Sequence, residues 1–243
     1  MRIAPSSHRA LQAAARNCLP RTIGVSVTDP RAKSRQVFPE EQQAVRRARE
    51  PRLREFANGR NAARGAMIGL GLDVRAVPMG QDRAPVWPEG LTGSITHDDT
   101  ACVAIAATRQ NFRALGADLE PDADLPSDLI PEICTKGEQD WLRQQSFSQQ
   151  GRYARMIFSA KECTYKCQYA LSGQMLEFQD LKITLSGDKS EFQARFLRAA
   201  PPFAVGTVLR GHCLIVSGHI LTLMTLPNQQ AGEIDTAMSK EVA

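Results

Sequence analysis

The sequence predicts a mixed fold of the α/β (α+β) class, arranged as two lobes. Three observations carry this reading. A strongly helical run covers Glu40 to Gly71, a second covers Gly151 to Leu171, and each is followed by short runs of β-forming residues. At 243 residues the chain can hold one large domain or two smaller ones. Helix-then-strands occurring once in each half favours two lobes, although no repeat is visible in the sequence itself.

In chain order, residues 1–18 read as a mobile amino-terminal extension. Arg2, Arg9, Arg16 and Arg21 precede the first acidic residue, Asp29, which also allows a transit peptide. The first lobe is expected over 19–110. In its helix Leu53, Phe56, Ala63, Met67 and Leu70 share a face, and Pro51 marks a break or a fresh first turn. Gly80, Pro85, Pro88 and Gly90 indicate a loop, after which Leu91 to His97 and Ala101 to Thr108 read as a hairpin around Asp98 and Asp99.

The second lobe is expected over 111–230. It opens with a strand from Arg113 to Leu119, a loop from Pro121 to Pro131 and a helix from Lys136 to Gln145. After the second long helix come strands at Leu181 to Leu185, Glu191 to Leu197, His212 to Ser217 and Ile220 to Leu226, with Ser217-Gly218-His219 as a turn. Residues 231–243, polar and unpatterned, read as a frayed tail.

Composition narrows the function. Hydrophobic residues make up 42% and charged residues 23%, which is ordinary for a folded soluble chain. Thirty Lys plus Arg against 26 Asp plus Glu leave +4, too little for a dedicated nucleic-acid binder but compatible with small anions or acidic proteins. Arginines crowd between Arg46 and Arg64, as a site for anions or as a solvated helix face. The six cysteines contain no CxxC pair and read as reduced packing residues of a cytoplasmic protein. No apolar run is long enough to span a bilayer, and a monomer is expected.

Three short patterns could carry chemistry. Asp118 and Glu120 alternate on a strand and project from one face, which suits a hard cation, though exposed strands often carry such pairs. Glu162 and Lys166 lie one turn apart on a helix, as a functional pair or a surface ion pair. Ser94, Thr96 and His97 end a strand where hydroxyls and a ring nitrogen could hold phosphate. His8, His212 and His219 have no acidic or cysteine company in the sequence and receive no role.

Taken together and in order, these segments resemble a known family. Phe56 to Arg64, Trp87-Pro88 with Gly93 to His97, Gly116 to Glu120, and Phe158 to Lys166 resemble four motifs of the surfactin- and enterobactin-type 4'-phosphopantetheinyl transferases. The resemblance runs from about Leu19 to Leu226 and is closest to the enterobactin synthase component D branch. Ala117 and Cys163 depart from the usual residues without removing a functional group. The resemblance implies two similar lobes in pseudo-twofold relation, with coenzyme A as substrate and Mg2+ in the cleft between them.

It also implies roles. Asp118, Glu120 and Glu162 would hold the magnesium, with Glu162 taking the serine proton. Thr96, His97 and Arg60, beside Ser94, would hold the 3'-phosphate. Arg52 or Arg54 would reach the adenosine phosphates and Lys166 the pyrophosphate, with Lys161 and Arg83 as further coenzyme A ligands. The partner would be an apo acyl or peptidyl carrier protein of siderophore, non-ribosomal peptide or polyketide biosynthesis. A non-catalytic coenzyme A or nucleotide-binding module is the competing reading.

Overall fold

The computed structural model describes residues 5–33 and 37–228. The first half comprises helix α1 (Pro5–Cys18), strand β1 (Gly24–Thr28), a 3-10 turn (Pro39–Glu41), the single turn α2 (Gln42–Val45), the long helix α3 (Glu50–Gly69), and strands β2 (Leu91–His97) and β3 (Cys102–Thr108). The second half runs through β4 (Phe112–Pro121), α4 (Ile130–Ile133), α5 (Lys136–Arg143) and the long helix α6 (Phe147–Ser172). It ends with β5 (Leu181–Leu185), β6 (Glu191–Phe196), β7 (Val208–Val216) and β8 (His219–Pro227). The strands form two antiparallel sheets, one ordered β1-β3-β2 and the other β4-β8-β7-β6-β5. The two halves are therefore unequal in size.

The helix expected from Glu40 to Gly71 is broken. Glu41 turns fully inward, and its carboxylate accepts the Phe38 N–H at 2.9 Å, the bond that caps its own turn. Pro51 lacks an N–H and so fits the first turn of α3, where that donor would have no helical partner. At the other long helix, α6 ends where Gly173 adopts φ 60, a left-handed conformation that glycine accepts without a Cβ clash.

The amino-terminal segment also differs from expectation. Residues 5–18 are helical rather than loose, and Leu11 and Ala15, one turn apart, are fully buried. The cause lies in strands that are apolar on both faces. On β3, Cys102 and Ala104 face α3, while Val103, Ile105 and Ala107 join Leu11, Ala15, Leu115, Ala117 and Leu119 in a core on the opposite side. That second face needs cover, and α1 supplies it. The tail expected at 231–243 lies outside the described residues. No helix among the described residues is long and apolar enough to cross a membrane.

The sheets meet edge to edge at β2 and β4, through side chains rather than a backbone ladder. Ser94 Oγ accepts the Ala117 N–H and Thr96 Oγ1 accepts the Leu119 N–H, each at 3.1 Å. Both hydroxyls are buried, so they satisfy edge donors of β4 that β8 cannot reach. The junction fixes β4 relative to the first lobe, and β4 carries Asp118 and Glu120.

Candidate active site

The alternation of β4 decides which residues can act. Leu115, Ala117 and Leu119 point into the core under α1, so Gly116, Asp118 and Glu120 point the other way, toward α6. Gly116 lets the helix lie close: a Cβ there would stand 2.2 Å from the Cys163 carbonyl oxygen. The close approach brings Asp118 beneath the helix. Lys166 Nζ donates to its Oδ1 at 2.5 Å, Thr96 Oγ1 to the same oxygen at 3.3 Å, and Ser159 Oγ to Oδ2 at 2.9 Å. Asp118 is only 4% exposed, and these three donors from two lobes are what make its burial tolerable.

Negative charge exceeds its local compensation. Burial, then the neighbouring Asp118 carboxylate, push Glu120 up to about 7, although Arg155 donates to its Oε2 at 2.8 Å. Burial raises Glu162 as well, with Asp118 adding to the shift and Lys166 opposing it. For Lys166, burial favours loss of the proton, yet Asp118 and Glu162 together hold it above the ordinary lysine value.

Two cavities adjoin this node, and a third shares Arg83 with the second. One of about 220 Å³ has Glu162 in its wall with Tyr165, Leu176 and Phe178. Beyond Tyr165, a second of about 360 Å³ lies between the lobes, lined by Arg83, Trp87, Ile95, Lys166 and Tyr169. A third, of about 400 Å³, is walled by Arg46, Arg47, Arg52, Arg83 and Phe56. An acidic node beside an apolar channel, with an arginine-lined hollow next to that channel at Arg83, is suited to a long ligand with phosphates at one end.

Comparison with known proteins names that chemistry. A family model described as "4'-phosphopantetheinyl transferase N-terminal domain" matches residues 40–107, and one described as "4'-phosphopantetheinyl transferase superfamily" matches residues 114–222. The chain is 34% identical to the 4'-phosphopantetheinyl transferase Npt of Nocardia iowensis, over 76% of this chain and 86% of that protein. This chain belongs to the 4'-phosphopantetheinyl transferase superfamily. It is also 36% identical to the transferase Svp of Streptomyces mobaraensis, over 68% of each. The expected likeness to enterobactin synthase component D is present at 36% identity with the Salmonella typhimurium protein, over half of each chain.

Within this transferase the predicted site residues divide into groups. Asp118, Glu120, Glu162 and Lys166, two pairs in the sequence, come together around β4 and α6. Arg52 and Arg83 both reach the arginine-lined cavity, where Arg52 also meets Glu55 at 3.3 Å and Arg83 adopts φ 69. Arg60 is buried with its guanidinium 4.2 Å over the Phe56 ring, and its Nε has no hydrogen-bond partner. Burial lowers it to about 10. Arg54 pairs with Glu50 at 2.9 Å. His97 is exposed at the end of β2.

Other expectations are corrected. Lys161 does not face a ligand: its ammonium is buried and donates at 2.8 Å to the Glu138 carboxylate and to the carbonyls of Ile133 and Phe178. All three of its donors are thereby used. Ser94 and Thr96 accept backbone N–H groups at the sheet junction, Ser94 also lining the cavity between the lobes, while His97 at that strand end faces outward. Asp118, Glu120 and Glu162 share one node without already converging on a common point, and among the described residues no group of three or more His, Cys, Asp or Glu is placed to hold a metal ion. Lys166 and Arg155 instead hold Asp118 and Glu120.

Some site residues escaped sequence reasoning altogether. Ser159 and Arg155 touch the acidic node from α6, and their i, i+3 and i, i+7 spacing to Glu162 was the available signal. Asp82 accepts from the Tyr169 hydroxyl at 2.9 Å, tying the Gly80 to Glu89 loop to α6 across the cleft. Nothing local in the sequence marks that contact.

Proposed function

We propose that this transferase moves the 4'-phosphopantetheine arm of coenzyme A onto a serine of an apo acyl or peptidyl carrier protein, using magnesium and releasing 3',5'-ADP. The observation that supports this best is the Asp118 node, where β4, α6 and β2 meet beside an apolar channel that borders an arginine-lined hollow at Arg83. The donor set suits a hard cation. Asp118, Glu120 and Glu162 crowd like charge: burial first, and then the Asp118 carboxylate, raise Glu120 and Glu162. These three residues would hold magnesium, which when bound supplies charge neutralisation on the pyrophosphate oxygens.

The chain's own residues perform the rest. Arg52, Arg83 and His97 bind the nucleotide phosphates, and Lys166 reaches the pyrophosphate. The apolar walls by Tyr165 and Trp87 orient the pantetheine arm and exclude water. The carrier serine oxygen forms a bond to the phosphorus bearing pantetheine, while the bond from that phosphorus to the oxygen of the departing 3',5'-ADP breaks. The serine proton passes to a Glu162 carboxylate oxygen, directly or through water. Burial makes Glu162 a stronger base than a solvated carboxylate.

The enzyme would act as a monomer in the cytoplasm, in assembly of siderophores, non-ribosomal peptides or polyketides; its six free cysteines suit a reducing compartment. The test is a panel of purified apo carriers of these classes, incubated with coenzyme A and enzyme, with and without a chelator. The expected result is a phosphopantetheine mass increase on the carrier serine, stoichiometric 3',5'-ADP, and loss of both on chelation with recovery on adding magnesium. No mass increase on any carrier would overturn the proposal.

A further inference from the structure

The turn that follows His97 is held by a histidine from the other lobe. Asp98 Oδ1 accepts three bonds inside the turn, from Thr100 N–H at 2.7 Å, Thr100 Oγ1 at 2.8 Å and Ala101 N–H at 2.8 Å. Its second oxygen stands 3.1 Å from Nε2 of His219, the first residue of β8, and the same nitrogen lies 2.8 Å from Thr100 Oγ1. His219 Nδ1 is 3.1 Å from the Ser217 carbonyl, which can only accept. Both ring nitrogens thus have an acceptor within reach, an arrangement that favours the doubly protonated ring. The hydrogen bond to Asp98 raises the His219 pKa against the effect of burial, and the bonds from His219, Thr100 and Ala101 take Asp98 down to about 2 despite its own burial. His219 is 2% exposed, and α1 adds a second tether through His8 Nε2, 2.9 Å from the Thr100 carbonyl.

We propose that His219 is a positioning residue for the nucleotide end of coenzyme A: it holds Asp98, and through it the turn that presents His97. This rests on the reading that His97 meets the 3'-phosphate. The substrate itself is far from needing His219 directly, because the ring is buried and spends both nitrogens within the protein. Its influence passes along one residue, from the Asp98 carboxylate to the adjoining backbone of His97. A group acting in this way changes how well the nucleotide is held without touching the reacting bond.

The test compares coenzyme A with 3'-dephospho-coenzyme A, using wild type, His219→Ala and the donor-retaining His219→Gln. In wild type the 3'-phosphate should lower KM; equal KM for the two substrates would refute the His97 reading and leave nothing for His219 to position. Given that preference, His219→Ala should raise KM for coenzyme A about tenfold with kcat within about twofold, leave KM for the dephospho substrate unchanged, and be largely rescued by His219→Gln. Loss of kcat with both substrates, or an unchanged preference, overturns the proposal. A second measurement needs no variant: 3',5'-ADP titrated into wild type should shift the imidazole resonances of His97 and of His219. Movement of His97 alone would show that the two are not coupled and would sink the inference.

Discussion

The two halves of the chain repeat one set of contacts, and only one of them adds carboxylates to it. In the first half Glu41 accepts from Phe38 N–H, from Val77 N–H and from the buried Arg64 guanidinium of α3. In the second, Glu138 accepts from Thr135 N–H, from Ile183 N–H and from the buried Lys161 ammonium of α6. Each acid lies 23 residues before its cation. Two residues past each cation, a helix carbonyl lies over a strand glycine: Ala66 over Gly24, and Cys163 over Gly116. These recurrences show the two halves reusing one arrangement of acid, cation and glycine.

With that register, Ser26 corresponds to Asp118, Gly65 to Glu162 and Gly69 to Lys166. Ser26 and Gly65 even touch, since a Cβ on Gly65 would lie 2.3 Å from Ser26 Oγ. The ion pair and the glycine are therefore the frame, and the acid node is an addition to one copy of it. The largest expected effect separates the two. Asp118→Ala should cost about a thousandfold in transfer, since several kcal/mol of charge stabilisation are lost, while Ser26→Ala changes the rate less than about twofold. Steady-state assays on folded variants decide this, and comparable losses would erase the distinction.

The frame itself should matter to stability in both halves. Glu41→Ala and Glu138→Ala each strand a buried cation's neighbourhood without its carboxylate and leave backbone N–H groups unpaired, which should cost about 3–5 kcal/mol. Denaturant unfolding measures it. Glu138→Ala and Lys161→Ala should lower stability while the KM for coenzyme A of the folded fraction holds. A normal melt with a raised KM for Lys161→Ala would return that lysine to the binding site.

Smaller again are the strand glycines. Gly116→Ala forces a Cβ against the Cys163 carbonyl, and Gly24→Ala against the Ala66 carbonyl at 1.9 Å; backbone on both sides leaves little room to yield. Each should destabilise by about 1–3 kcal/mol, the range for overpacking. Only Gly116→Ala should also lower activity, because it displaces Asp118 from Lys166 and Ser159. Equal activity losses in the two variants would mean the halves are not independent in function.

What the sequence made legible follows from how local each signal is. Strands β2, β3, β5 and β8 stood out by alternation between turn residues. β1, Gly24 to Thr28, was missed, and β7 was read late because Val208 to Gly211 precedes the obvious apolar run. Asp118, Glu162 and Lys166 were readable because pairs on one strand or one helix turn declare themselves by spacing. Lys161 was misread since its partner lies 23 residues away on another helix. That Ser94 and Thr96 also bind backbone N–H groups of β4 was not readable, because such bonds leave no trace in residue type. The internal repeat stays invisible for the same reason: it needs only an acid, a cation and a glycine at long intervals.

The smallest expected effect concerns Glu120, whose counterpart by the same register is the uncharged Thr28. Its folded pKa of about 7 lies above the ordinary glutamate value, so the folded state keeps a proton that the unfolded chain has already released. Stability then falls as pH rises from about 4.3 to 7, and the full penalty is present above 7. Glu120→Gln, which carries no charge, should remove this fall. A cation held by the same carboxylates competes with the proton and offsets the penalty. Magnesium should therefore raise the melting temperature by a few degrees at pH 8 and by little at pH 5.5, about the shift that 1 kcal/mol gives a chain of this size. Melting scans of wild type and Glu120→Gln, with magnesium or chelator, measure both slopes. A magnesium shift as large at pH 5.5 as at pH 8 would place the ion elsewhere. A pH slope unchanged in Glu120→Gln would mean that the strain between Asp118 and Glu120 is relieved by Arg155 alone.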